Sequence, residues 1–182
     1  MNNLGVKAKE NPPITSQKYY TMCAQILLRI LATAFTLTAT CIILNSKETV
    51  DVFTIQMDAR YSYSPALKFF VFANIIGCAF SVFSLFLASI FGRKGLHPNK
   101  YFYLFVHDMI MMALLLAGCA AATTIGYVGK YGESHSGWMP ICDSVAKFCH
   151  KIIASLAFSY FGVIFYLCLA IISANQSRKI QV

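Results

Sequence analysis

Apolar residues along the chain fall into four long blocks separated by polar segments. The blocks cover residues 22–44, 66–91, 101–128 and 152–174. Each block is long enough to cross a hydrocarbon layer about 30 Å thick, which takes about 20 helical residues. The blocks are apolar around their whole circumference, whereas the helices of a soluble bundle show a polar face. The pattern therefore predicts an all-α membrane protein, a four-transmembrane-helix bundle over residues 22–175.

The segments that flank the bundle are short and polar. Residues 1–21 contain Pro12 and Pro13 and lack an apolar segment followed by a cleavage site, which a secretory signal peptide would carry. We therefore expect residues 1–21 to form a disordered cytoplasmic tail. Residues 176–182 are expected to form a second, shorter cytoplasmic tail.

Two segments on the opposite side of the bundle have the composition of β-strands. VDVFTIQM, between the first two blocks, is rich in β-branched and aromatic residues. TTIGYVG, at the outer end of the third block, shows the same composition more weakly. These segments predict a small extracellular β element.

The overall composition agrees with a membrane protein. Of the 182 residues, 58% are apolar and 12% are charged, and the mean hydropathy is +0.62. A soluble domain carries about twice that charged fraction. At this length the chain is expected to form one compact domain.

Basic residues are distributed unevenly between the two sides of the predicted bundle. The side of the termini holds eight basic residues and one acid: Lys7, Lys9, Lys18, Arg93, Lys94, Lys100, Arg178, Lys179 and Glu10. The other side is almost balanced, with Lys47, Arg60, Lys68, Lys130, Lys147 and Lys151 against Glu48, Asp51, Asp58, Glu133 and Asp143. Because loops rich in Lys and Arg stay in the cytoplasm, both termini are expected to be cytoplasmic. The net charge of +8 then reflects topology and contact with membrane lipid, and nothing indicates nucleic-acid binding.

Two oppositely charged residues lie inside the predicted spans. Arg29 in the first block and Asp108 in the third each lie seven residues from the cytoplasmic start of their block. Both are therefore about 10 Å deep. Equal depth and opposite charge predict an intramembrane ion pair, because pairing spares each charge the cost of standing alone in lipid.

The ion pair has two interpretations. In the first, which we favour, the pair only fixes the packing and register of the helices. In the second, Asp108 titrates beside His107 in a proton or ion relay, as in a transporter or a channel accessory subunit. The spans contain no second carboxylate, and no inverted repeat of the kind found in many transporters is visible.

Small and polar residues recur at helical spacing in the second and fourth blocks. They form a predicted helix-packing seam of Ala73, Asn74, Gly77, Ser81, Ser155 and Ser159, with Ser84 nearby. Such residues let helix backbones approach closely, which suits a bundle interior or a subunit contact. Packing inside the bundle is the prediction.

Two of the seven cysteines, Cys142 and Cys149, share the second outer loop. That side of the membrane is oxidising, so a disulfide is predicted. Cys142 and Cys149 are seven residues apart, which in a regular helix would place their Cα atoms about 10.5 Å apart. A disulfide needs less than about 7 Å, so the intervening segment is expected to bend.

Trp138 is the only tryptophan and lies in the same outer loop. It fits either of two roles. One is an interfacial anchor; the other is outer-loop packing, in which Trp138 belongs to a packed lid over the helix ends.

Residues with catalytic or metal-binding chemistry are scattered along the chain. The histidines are His97, His107, His135 and His150, and they show no metal-ligand spacing. No Ser/His/Asp set follows from the order of residues. We therefore expect no enzymatic activity, no cofactor and no metal site.

The combination of these features resembles the plant CASP-like (Casparian strip membrane domain protein-like) family, and its first subfamily in particular. The resemblance rests on Arg29 in the first span, YSYSPALKFFVFANIIG entering the second, Asp108 in the third and GWMPICDSVAKFC in the last outer loop. It implies a four-span protein related in architecture to the MARVEL domain.

The resemblance also implies a function. Such proteins are multi-pass proteins of the plasma membrane that act as scaffolds or organisers and associate with themselves and with related four-span proteins, as homodimers and heterodimers. In the Casparian strip proteins the scaffold forms a diffusion barrier and guides local cell-wall modification. The first outer loop here, NSKETVDVFTIQMDARYSYS, departs from the signature of those members, so strip localisation is not implied.

Overall fold

The computed structural model describes residues 14–52, 55–92 and 98–179. Within these ranges the chain forms four long helices: α1 (Ile14–Leu44), α2 (Pro65–Gly92), α3 (Pro98–Tyr131) and α4 (Ala146–Lys179). All four are long and apolar enough to cross a membrane, with candidate spans at Tyr19–Leu44, Pro65–Leu87, Phe102–Tyr131 and Ala146–Arg178. The predicted all-α membrane fold is confirmed, and the chain is a multi-pass membrane protein.

The helices extend beyond the predicted spans at most of their ends. α1 begins at Ile14 rather than near Met22, so the last part of the expected disordered tail is helical. α4 begins at Ala146 rather than near Ile152. Residues 1–13 and 180–182, which hold the remainder of the two predicted tails, lie outside the described residues.

The four helices pack as a ring around a common axis. α1 packs against α2 and α4, and α3 packs against the same two helices. α1 and α3 are therefore diagonal to each other, as are α2 and α4. Buried apolar side chains from all four helices fill the interior, among them Ala32, Phe70, Leu115 and Leu169.

A β-hairpin lies between α1 and α2, in the first of the two loops that the predicted orientation places outside and that we call the outer loops. Its strands are β1 (Lys47–Val52) and β2 (Ile55–Arg60), paired antiparallel with Lys47 opposite Arg60 and Val52 opposite Ile55. The segment VDVFTIQM, which the sequence predicts as one strand, thus contributes to two. A 3₁₀ turn at Tyr61–Tyr63 leads from the hairpin into α2.

The second strand-like segment, TTIGYVG, is helical and lies within α3, so that prediction is wrong. A helix pairs its backbone groups within the segment, which favours it over a strand wherever water is scarce. The Thr123 and Thr124 hydroxyls donate to the carbonyls of Cys119 and Ala120, one turn back, at 2.7 and 3.0 Å. β-propensity is a weak preference that such surroundings override.

Candidate functional site

Arg29 on α1 and Asp108 on α3 form an ion pair across the bundle axis. Arg29 Nη1 donates to Asp108 Oδ1 at 3.1 Å, and Nη2 donates to Oδ2 at 2.9 Å. Both side chains are 0% exposed. The pair is therefore bidentate, and each carboxylate oxygen accepts a charge-assisted hydrogen bond in surroundings of low dielectric constant.

Hydroxyl groups of α1 and α2 extend the ion pair into a network. Arg29 Nη1 also donates to Ser84 Oγ, and the Ser84 hydroxyl donates to the Ser81 carbonyl at 3.0 Å. The Ser81 hydroxyl donates to the Arg29 carbonyl at 3.2 Å, and Thr33 Oγ1 donates to Ser81 Oγ at 2.8 Å. Three helices thus meet at the charged pair, and α2 contributes an uncharged partner, the Ser84 hydroxyl.

His107 is a second neighbour of the Asp108 carboxylate. Its Nδ1 lies 3.3 Å from Asp108 Oδ1, its side chain is 20% exposed, and its ring packs against Phe80 with centroids 5.7 Å apart. His107 Nε2 and Arg29 Nε are buried without a hydrogen-bond partner among the described residues, as is Nε2 of Gln25, one turn before Arg29 on α1. The site therefore holds one carboxylate between a guanidinium and an imidazole.

A second layer of polar contacts crosses the bundle between the charged pair and the end of the bundle that carries the hairpin. The Ser159 hydroxyl on α4 donates to Asn74 Oδ1 on α2 at 2.9 Å, and Asn74 Nδ2 donates to the Phe70 carbonyl at 2.9 Å. The Tyr166 hydroxyl donates to the Gly77 carbonyl at 2.7 Å. These bonds join α4 to α2, the other diagonal, so both diagonals of the ring are connected by buried hydrogen bonds.

All six residues of the predicted helix-packing seam lie in the bundle interior. Ala73, Asn74, Gly77, Ser81, Ser155 and Ser159 are buried, and Ser155 donates to the Ala39 carbonyl at 2.8 Å. A Cβ at Gly77 would lie 3.3 Å from Leu115, which shows how closely α2 and α3 approach. The seam therefore packs helices within one chain.

Tyr166, Thr33 and Gly118 are site residues that the sequence reasoning did not single out. Gly118 is the tightest glycine contact between α2 and α3, because a Cβ there would lie 2.9 Å from the Ala73 Cβ. A signal for it existed in the run AGCAAATTIG, where small residues cluster. Nothing in the sequence marks Tyr166 among the other aromatic residues of α4.

The outer loop between α3 and α4 is closed by a disulfide between Cys142 and Cys149, as predicted, with a Cα–Cα distance of 5.7 Å. The expected bend is present, because α4 begins only at Ala146 and the residues before it form turns. The loop backbone is bound to α3, since Ile141 and Cys142 both donate to the Gly129 carbonyl, at 2.9 and 3.0 Å.

The Trp138 side chain, for which the sequence predicts either an interfacial anchor or part of a packed lid over the helix ends, is 60% exposed. The Trp138 backbone pairs with the Glu133 backbone through hydrogen bonds of 2.9 and 3.0 Å. Gly132 makes this pairing sterically accessible, because its φ is +72° and a Cβ there would lie 2.7 Å from the Trp138 carbonyl oxygen. The turn thus holds the indole at the surface.

No group of three His, Cys, Asp or Glu side chains that could hold a metal ion is found within residues 14–52, 55–92 and 98–179. The chemistry of the buried site therefore rests on Arg29, Asp108 and His107. Each Asp108 oxygen accepts a hydrogen bond from Arg29, and the His107 imidazole lies beside Oδ1.

Comparison with known proteins identifies the family. A profile described as the Casparian strip membrane protein domain matches residues 21–165. The chain belongs to this family. The matched region contains Arg29, Asp108 and both cysteines of the CASP-like outer loop, and it ends one residue before Tyr166.

Full-length relatives place this CASP-like chain in the first subfamily. It is 50% identical over its whole length to "CASP-like protein 1F1" of Vitis vinifera, covering 88% of that protein. It is 47% identical to "CASP-like protein 1F2" of Populus trichocarpa, with both chains fully covered. It is also 48% identical to "CASP-like protein 1F1" of Ricinus communis over 97% of its length. No solved structure matches the chain, and the architectural relation to the MARVEL domain stays a prediction.

Proposed function

We propose that this protein is a non-enzymatic scaffold of the plasma membrane, which associates with itself and with related four-span proteins into membrane domains where local cell-wall modification is organised. Membership of the CASP-like family supports the proposal. The buried polar site supports it as well, because its hydrogen bonds connect the helices of one chain across both diagonals and leave the lipid-facing surface for contacts between chains.

The observation that carries self-association is a stripe of small residues on the outward face of α3. Ala113, Ala117, Ala120 and Thr124 follow one another at helical spacing and are all exposed. In lipid there is no hydrophobic driving force between helices, so association depends on close backbone approach at small residues. This stripe is distinct from the interior seam, whose six members are buried.

The outward face of α2 differs from that of α3 and serves as its control. Phe72, Phe83 and Phe86 there are 62%, 57% and 61% exposed. Such bulky side chains keep a neighbouring backbone at a distance and suit contact with lipid chains. We therefore assign the contact between copies to α3 rather than α2.

The experiment compares substitutions on the outward faces of α3 and α2. The double variant Ala117→Leu, Ala120→Leu is expected to weaken association, because two larger side chains separate the backbones. Phe83→Leu changes a lipid-facing residue of α2 and is expected to leave association unchanged. Association of each variant is measured in plant cells by energy transfer between tagged copies and by recovery after photobleaching. Unchanged energy transfer in the α3 variant, with normal delivery to the membrane, would contradict the assignment.

The proposed orientation has both termini in the cytoplasm, supported by the excess of basic residues on that side. Tags at the two ends are then expected to resist protease added outside intact cells. Digestion of either tag under those conditions would reverse the proposed topology.

A second candidate function is a transporter or channel accessory subunit that uses Arg29, Asp108 and His107. One observation favours it: the His107 imidazole lies within 3.3 Å of the Asp108 carboxylate. The predicted behaviour of Asp108→Asn, described below, separates this candidate from the scaffold.

A further inference from the structure

The outer loop exposes a run of apolar side chains, Trp138, Met139, Pro140 and Ile141, which we call the apolar tip. Trp138 is 60% exposed, Met139 82% and Ile141 51%. The tip carries no charged side chain. Large apolar side chains that are exposed next to one another are typical of a surface that a partner or a membrane covers.

The exposure of the tip follows from the fold of the loop. The backbone of Trp138 is paired with Glu133 on one side of the tip. On the other side, Ile141 and Cys142 are bound to the Gly129 carbonyl, and Cys142 is joined to α4 by the disulfide. A loop held at both ends has little freedom to fold its side chains inward, so the apolar tip is presented outward.

The packing of α2 against α3 gives the height of the tip relative to the membrane. Gly118 of α3 lies level with the stretch of α2 from Phe70 to Ala73, where its Cβ would meet both residues. From there, α2 rises about 10 Å to the start of its candidate span at Pro65, and α3 rises about 16 Å to Gly129. The loop attached to Gly129 therefore lies about 6 Å beyond the start of the α2 span.

Measured from the start of the α2 span, this height falls in the headgroup layer; measured from the α3 span, which ends at Tyr131, it falls at the edge of the hydrocarbon core. The hydrocarbon core is about 30 Å thick and the whole bilayer about 40–45 Å, so each interfacial layer is about 5–8 Å deep. The neighbouring turn of α3 has the residues typical of that layer, since Tyr127 and Tyr131 are exposed and in contact, with ring centroids 4.9 Å apart and ring planes tilted by 47°. Lys130 Nζ lies 5.3 Å from the Tyr131 ring centroid and is available to lipid phosphates.

We propose that the apolar tip inserts into the headgroup and glycerol layer of the adjacent leaflet, which is the outer leaflet in the proposed orientation. The loop then anchors the protein to that leaflet separately from the four spans. Lipid is the favoured occupant because the tip combines an indole with aliphatic side chains and is continuous with the lipid-facing Tyr127 and Tyr131 of α3. This inference does not depend on the scaffold function.

The single tryptophan makes the proposal directly measurable. The full chain is reconstituted in phosphatidylcholine nanodiscs whose acyl chains carry bromine either near the glycerol or near the chain end. Trp138 emission is then recorded with each lipid and, separately, with iodide in the buffer. Trp138→Phe gives the background from the tyrosines. The control is Trp138→Phe combined with Gln56→Trp, which moves the only tryptophan to an exposed position on the hairpin.

Insertion predicts a loss of Trp138 emission that is larger with bromine near the glycerol than with bromine near the chain end. It also predicts less iodide quenching, and a shorter emission wavelength, than for the hairpin control. Iodide quenching equal to that of the control, without an effect of brominated lipid, would overturn the proposal. Shielding from both quenchers would overturn it too, because a protein surface would then cover the tip.

Discussion

Arg29 and Asp108 connect diagonal helices, α1 and α3, through two hydrogen bonds of 3.1 and 2.9 Å at the centre of the bundle. Since the two helices lie on opposite sides of the ring, the pair sets their relative height directly. Ser84 of α2 joins the same site through Arg29. One buried charge thus touches three of the four helices, and its loss is expected to affect the whole bundle.

Removing one partner of the ion pair is expected to be more damaging than removing both. Arg29→Leu or Asp108→Leu leaves an uncompensated buried charge, which costs about 3–5 kcal/mol. The double variant Arg29→Leu, Asp108→Leu leaves none, so we expect it to recover much of the lost folding and surface delivery. Abundance at the plasma membrane, measured for the three variants side by side, tests this. A double variant delivered no better than the worse single would contradict a packing role.

Asp108→Asn distinguishes packing from a proton or ion relay. The amide keeps the size of the carboxylate but leaves Arg29 without its counter-ion, so a structural pair predicts reduced surface delivery. A relay predicts normal delivery with loss of transport activity, and a double Leu variant that stays inactive. Normal delivery of Asp108→Asn would therefore argue against the structural interpretation.

Gly118 and Gly126 form a matched pair on α3. A Cβ at Gly118 would lie 2.9 Å from the Ala73 Cβ, whereas a Cβ at Gly126 would meet only Ile152, at 3.9 Å. Gly118→Ala is expected to destabilise the bundle, because overpacking costs about 1–3 kcal/mol. Gly126→Ala is expected to be neutral or to stabilise α3 by up to about 1 kcal/mol. Thermal unfolding in detergent compares the two variants. Equal changes in stability would contradict the prediction, because α2 and α3 would then accommodate the added Cβ at Gly118 without cost.

Glu48 of the hairpin binds the start of α4. Its Oε2 accepts a hydrogen bond of 2.7 Å from the backbone N–H of Phe148, in the first turn of the helix. Glu48→Ala leaves that N–H unpaired and is expected to cost about 1–2 kcal/mol, with a smaller loss for Glu48→Gln, which keeps an acceptor. Faster amide exchange in the first turn of α4 reports the effect. The control is Glu133→Ala, which removes an exposed acid from the loop between α3 and α4. If it accelerated amide exchange in the first turn of α4 as much as Glu48→Ala does, capping by Glu48 would be contradicted.

The hairpin is expected to weaken in acid because of Asp58. The Thr49 hydroxyl donates to this carboxylate at 2.6 Å and, together with Arg60, lowers the pKa of Asp58. A lowered folded-state pKa means that the carboxylate stabilises the hairpin above the ordinary aspartate pKa of about 4, and that this contribution is lost as the pH falls. Amide exchange of β1 and β2, measured as the pH is lowered through about 4, tests this loss of stability. Asp58→Asn is expected to remove the pH dependence, and persistence in that variant would assign it to another group.

The disulfide is expected to hold the outer loop against α4. Replacing Cys142 and Cys149 together by Ser reopens a short ring, which corresponds to a loss of about 2–3 kcal/mol in the chain-entropy description. Protease cleavage between Gly132 and Ala146 should become faster, while Cys41→Ser, which changes a free exposed cysteine, should have no effect. Peptide mapping without reduction is expected to recover the two peptides linked, and their recovery as free thiols from plasma membrane would contradict the bond.

Features that depend on local pattern could be read from the chain alone. The four spans follow from runs of apolar residues, because only a helix satisfies its backbone groups within a single segment in lipid. The depth match of Arg29 and Asp108 follows from a constant rise per residue, and the disulfide follows from two cysteines in one outer loop. In each case the inference uses only the position of a residue along the chain, because that position gives its depth within a spanning helix or the side of the membrane on which its loop lies.

Features that depend on the lateral arrangement of the helices were decided only by the tertiary structure. The sequence could not show that α1 and α3 are diagonal, that Ser84 and Tyr166 point into the bundle, or that Ala113 and Ala117 lie on its outward face. Most of the circumference of every helix is apolar, so the sequence pattern does not fix which helix lies beside which. TTIGYVG is helical because its β-propensity is a weak preference, and a helix pairs its backbone groups within the segment. The exposure of Trp138 follows from the fold of its loop, which backbone pairing with Glu133 and contacts with α3 determine.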